Sequence, residues 1–239
     1  METENRMKRR RLNKNSQNTE LSVTVNVDGL PLFKSSNFHI WPILGLIENY
    51  ILIIALFCGN GKPTCLVDFL YDFIKEFLFL SNEGLYYDNK KINVKLKAFI
   101  CDARCFLKCI QGHTEYYSCE RCQIQGLYED HRVVFIDDNQ STPRSTEEFN
   151  TFLYTIHQKS LTPLAQLQIF CVSDFTLDYM HMVCLGVVRR ILTFLKSGPK
   201  HCRLLNTQIK KISANLLSLC GMMPSEFARQ LRSLFELDR

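Results

Sequence analysis

Apolar and polar positions alternate over residues 21–27 (LSVTVNV), a half-buried strand pattern that runs into the turn pair Asp28-Gly29. Two apolar runs follow, 38–47 (FHIWPILGLI) and 50–57 (YILIIALF). They are predicted as two buried strands, with residues 58–63 (CGNGKP) breaking the chain after them. The period then changes. Leu66, Phe69, Leu70, Phe73, Ile74, Phe77 and Leu78 recur at three- and four-residue spacing, while Asp68, Asp72, Lys75 and Glu76 mostly occupy the other face. Pro63 precedes this amphipathic helix and Asn82 to Gly84 ends it. Residues 93–101 (NVKLKAFIC) return to a strand pattern and deliver Asp102 at their end.

The second half reads as mainly helical. Helices are predicted over 147–157 and within 175–195, the latter through Met180, Val183, Cys184, Val187, Val188, Ile191, Leu192 and Leu195, with Ser197-Gly198-Pro199 as its stop. Ile209, Ile212, Leu216, Leu217 and Cys220 mark another, and Pro224 opens a short last one. Strand, strand, strand, helix, strand is the order that opens a ribonuclease H-like core, in which the first and fourth strands are neighbours. The expected class is therefore α/β: a ribonuclease H-like mixed sheet with a small zinc-binding insertion and a helical C-terminal part. The expected division is a disordered basic arm (1–20), the first part of the core (21–112), a loop-rich zinc-knuckle insertion (113–160) and a helical segment (161–239).

Composition narrows the class without changing this picture. With 46% hydrophobic and 22% charged residues over 239 positions, a core is affordable and global disorder is excluded. The net charge of +5 is concentrated in the arm, where Arg6, Lys8, Arg9, Arg10, Arg11 and Lys14 face only Glu2 and Glu4. Such an arm suits nuclear import or phosphate contacts, and equally a solvated tail. Eleven cysteines without a secretory signal point to reduced thiols in cytosol or nucleus. The apolar stretch over 40–58 is interrupted by Glu48 and Asn49, so no membrane span is expected.

Five features bear on chemistry. Asp28 and Asp102 offer hard oxygen ligands for Mg²⁺ or Mn²⁺ if adjacent strands bring them together; alone, they read as a turn residue and a helix N-cap. Cys119-Glu-Arg-Cys122 has the spacing of a structural zinc pair, with His113, His131, His157 and His181 as candidate partners; redox chemistry is the rival. Asp178 and His181 share a helix face and can complete a metal site or form a cap and a hydrogen-bonded His. Gly59-Asn-Gly-Lys62 lacks a full phosphate-loop pattern, and Arg189, Arg190, Lys196, Lys200, Arg203, Lys210 and Lys211 form a loose basic set.

The runs DGLPLFKSSNFHIWPILGLI, CGNGKP, AFICDARCFLKCIQGH, YYSCERC and LDYMHMVCLGVVRRIL together resemble the transposase-like proteins of the CACTA (En/Spm) type found in animal genomes. The resemblance covers residues 21–239. It implies a DDE/D transposase with Asp28 and Asp102 as first and second catalytic acids holding Mg²⁺ or Mn²⁺, and Asp178 as stand-in for the third. It implies structural Zn²⁺ on Cys119 and Cys122, with His181 and His113 as further ligands. Metal-dependent DNA strand cleavage and transfer in the nucleus is the implied activity; a catalytically inactive binding module derived from it is the alternative. DNA is the implied partner, with homo-oligomer formation open. In the plant relatives a Glu follows the Asp-x-Met-His motif where this chain has Val183. The animal relatives continue beyond this segment, so a truncated copy is expected.

Overall fold

The structure is a computed structural model describing residues 20–33, 36–136, 141–167, 169–223 and 231–237. The basic arm (Glu20 apart) and the helix expected from Pro224 lie outside these residues. Contacts divide the chain into two units, 1–176 and 177–239.

In the first unit, β1 (Glu20–Val27) buries Val23, Val25 and Val27 on one face, as its alternation predicts. After β2 (Leu30–Pro31), β3 (Phe38–Ile47) pairs antiparallel with β1, and β4 (Tyr50–Asn60) pairs antiparallel with β3. The helix α1 (Leu66–Glu83) buries Leu70, Phe73, Ile74 and Phe77 and stops at Gly84, whose φ of 75° suits the helix exit. β5 (Leu85–Tyr87) and β6 (Lys90–Ile100) form a hairpin, and β6 pairs with β1 in parallel. The short α2 (Arg104–Leu107), the ribbon of β7 (Leu127–Glu129) and β8 (Arg132–Val134), α3 (Thr146–Asn150) and a 3₁₀ turn (Pro163–Leu167) lead to β9 (Phe175–Thr176), parallel to β6. Through the long strands the sheet runs β4-β3-β1-β6-β9, with β3 opposed to the others. Phe99 on β6 stacks on Phe175 of β9 at 4.8 Å between centroids and meets Phe73 of α1 edge-on at 6.3 Å, so helix and sheet share one aromatic core.

The second unit holds a π-wound stretch (Met180–Val188) running into α4 (Arg189–Ser197), then α5 (Asn206–Ser218). A mixed α/β chain with a curled mixed sheet and several helices is thus what forms.

Four expectations need correction. The segment 50–57 is not a buried strand: β4 pairs on one side only and leaves Ile51 and Ile53 over 70% exposed. It also runs to Asn60, through half of the expected break. The helix expected over 147–157 is the single turn α3, because Gln158 Nε2 donates to the Phe149 carbonyl and Phe152 turns to φ 61°. The helical segment expected from 161 begins later, because Phe175 and Thr176 extend the sheet.

Candidate functional site

β1 and β6 end side by side. Past a bulge between Val23 and Thr24, Thr24 faces Ala98 and Val25 faces Phe99, and Asn26 Nδ2 donates to the Ile100 carbonyl at the same offset of 74. Carried past the strand ends at Val27 and Ile100, that offset would bring Asp28 near Asp102. The bulge decides this, since the register before it is one residue shorter and would set Asp28 against Cys101. Asp28 is half-buried and its Oδ1 accepts from Gly29 N at 2.8 Å. Asp102 is exposed, and it is not a helix cap: α2 is capped at Ala103 without any side-chain bond. Among the described residues neither carboxylate forms an ion pair. Their oxygens suit a hard divalent cation.

The same end of the sheet carries an aromatic rim. A Cβ on Gly29 would lie 2.5 Å from the Trp41 ring, so only glycine lets the chain pass there. Trp41 Nε1 donates to the Gly61 carbonyl at 3.1 Å, and the indole meets Phe106 of α2 edge-on at 5.8 Å. The Lys62 ammonium lies 5.2 Å from the Phe106 ring centre.

At the knuckle the thiols of Cys119 and Cys122 lie 3.2 Å apart. Sulfurs sharing one tetrahedral zinc stand about 3.7 Å apart, given Zn–S bonds of about 2.3 Å. Burial outweighs opposing backbone bonds and pushes the Cys119 thiol up. Burial also raises Cys122, but the Ile124 amide, the Cys119 thiol, Ser141 and Arg144 together bring it below its ordinary value. The two residues between the thiols are structural. Glu120 binds the fully buried Lys108 ammonium at 2.9 Å and stands 3.5 Å from Arg104. The Arg121 guanidinium donates to the carbonyls of Val172 and Phe175, fastening the knuckle to β9. Arg144 lies over the Tyr154 ring at 4.7 Å and donates to the Cys119 carbonyl at 3.1 Å.

His157 is buried beside this loop. Its Nδ1 faces the Tyr117 carbonyl at 2.7 Å and therefore carries the hydrogen. Burial draws its pKa down to about 4 against the lift from that carbonyl, leaving Nε2 an unprotonated nitrogen with no partner among the described residues. His113 is exposed. Among the described residues no three His, Cys, Asp or Glu side chains gather as a metal site. Cys101 is buried as an apolar group, its thiol pushed up to about 12 mainly by burial.

In the second unit, Asp178 Oδ1 accepts from Met180 N at 2.8 Å and Oδ2 meets His181 Nδ1 at 2.8 Å. The His181 bond and the helix amides outweigh a burial penalty and hold the carboxyl below its usual range. Sequence reasoning assigns no role to Glu120, Arg121, Lys108 or Arg144; the signal for them is a charged pair set between two thiols.

Comparison with protein-family models, curated proteins and solved structures gives no match for the chain. Among the described residues no helix is long and apolar enough to cross a membrane.

Proposed function

We propose that the chain is a transposase-like protein with a ribonuclease H-like core, descended from DDE/D enzymes that cut and transfer DNA strands. The observation that carries this reading is the parallel pairing of β1 with β6, which supports a neighbouring placement of Asp28 and Asp102 just past the two strand ends. The sheet order, with its second long strand opposed to the rest, supports the same architecture. Asp28 and Asp102 would hold Mg²⁺ or Mn²⁺, which when bound activates a hydroxyl and neutralises the leaving oxygen of a phosphodiester. Gly29 N fixes one Asp28 oxygen and so aims the other. Zinc on Cys119 and Cys122 would need ligands beyond these two thiols and a slight parting of them. The basic arm goes with work on DNA in the nucleus.

The test is nicking of supercoiled plasmid by the full chain with Mn²⁺. Loss of nicking in Asp28→Asn with Asp102→Asn is expected, and nicking that survives this double substitution refutes the mechanism. The second reading, an inactive module derived from such an enzyme, draws on Asp178. Its carboxylate is committed to the helix amide of Met180 and to His181, which leaves it poorly suited as third acid.

A further inference from the structure

We infer that Lys62 is a phosphate contact for a nucleic-acid strand crossing the carboxylate end of the sheet; this rests on the strand-transfer reading and assigns a role to the CGNGKP segment. Lys62 is exposed, yet its backbone is fixed on both sides. Gly61, at φ 87°, donates its N–H to the Asn37 carbonyl at 2.8 Å and accepts from Trp41 Nε1 at 3.1 Å. Pro63 follows, buried and with a ring-locked φ. The ammonium is held over Phe106, and among the described residues it forms no ion pair. An exposed lysine that swings freely loses much side-chain entropy on binding; one already resting on an aromatic face loses less.

The placement follows from contacts. Gly29, next to Asp28, lies against Trp41. Trp41 meets Phe106, four residues beyond Asp102, and Phe106 carries Lys62. A cation is thus fixed on the rim that bears both carboxylates. Two carboxylates repel a polyanion until cations are present, so an uncommitted ammonium at their edge gives the phosphates a resident counter-charge.

The experiment measures binding of the full chain to a fluorescent DNA duplex in EDTA over a salt series, beside the Mn²⁺ nicking assay. Lys62→Gln is expected to melt like the wild type, to weaken binding to the same degree on unrelated sequences, and to lower the slope of log K against log salt by about 0.7–0.9. Lys62→Arg is expected to restore the slope. An unchanged slope in Lys62→Gln overturns the contact, even if the wild type nicks DNA and the strand-transfer reading stands. A lowered slope without any nicking keeps the contact and removes the strand-transfer reading. No DNA binding by the wild type overturns both.

Discussion

At the carboxylate end of the sheet, Asp28 and Asp102 follow the ends of the paired strands β1 and β6 and form no ion pair among the described residues. At the knuckle, the arrangement is reversed. Glu120 and Arg121 between the thiols are spent on the buried Lys108 and on two carbonyls next to and within β9, while the thiols face each other. Both places look alike in sequence, as acidic or thiol ligands for metal. In the folded chain one is a pair of carboxylates outside any ion pair among the described residues, and the other is a fastening that holds a loop-rich segment to the sheet. Substitutions of the two carboxylates should therefore leave stability nearly unchanged, and substitutions of the charged pair at the knuckle should not.

The largest effect is expected at Glu120. Glu120→Ala leaves the Lys108 ammonium buried without its counter-charge, at a cost of about 3–5 kcal/mol in urea unfolding. Lys108→Met combined with Glu120→Leu removes that pair and should recover part of the loss, the rest staying with Arg104, which stands 3.5 Å from Glu120 and still loses its counter-charge. If the single substitution is as mild as the double one, the knuckle is not a fastening.

Next comes a pH effect on the same side of the comparison. His157 is neutral in the folded chain, with its pKa near 4 against the ordinary 6.5. The unfolded chain takes up the proton first, so this contribution is intact above pH 6.5. It is lost as the pH falls from 6.5 towards 4, by roughly 3 kcal/mol in all. The difference in stability between wild type and His157→Gln should shrink over that window. A difference that stays constant with pH would show that His157 does not titrate with folding.

The sheet was largely legible because its determinants are local and periodic. The valines of β1 and the 3.6-residue period of α1 each fix a face. The pairing of β1 with β6 was legible as an order of elements, but not the bulge beside Val23 and Thr24 that sets its register. The bulge moves the inward positions from Val94 and Leu96 to Phe99 and Cys101, but the apolar run from Ala98 to Cys101 hides that slip in the sequence. The knuckle was less legible, because what holds it is pairwise and distant. Arg121 reaches Val172 and Phe175 some fifty positions away, and Thr162 Oγ1 donates to the Leu107 carbonyl at 2.5 Å. β9 escapes a sequence reading because two residues carry no period, and β4 reads as buried because hydropathy does not reveal which strand ends a sheet.

A smaller effect tests where the two regions differ in tolerance. Gly29→Ala brings a methyl onto the Trp41 ring and should cost about 1–3 kcal/mol. Adding Trp41→Leu makes room and should return part of it, measured by thermal melting. Full stability in Gly29→Ala would mean that the turn is loose and Asp28 is not fixed by it.

The smallest effect on folding is expected at the carboxylates. Asp28→Asn with Asp102→Asn removes two charges that form no ion pair among the described residues, and stability should change by less than about 0.5 kcal/mol without metal. With Mn²⁺ at ten times its dissociation constant, the wild type should gain about 1.4 kcal/mol and the double variant nothing, because an ion that binds only the folded chain stabilises it by mass action. Equal gains would place the ion elsewhere. A loss as large as that of Glu120→Ala would make the carboxylates structural, and the contrast between a poised site and a fastening would disappear.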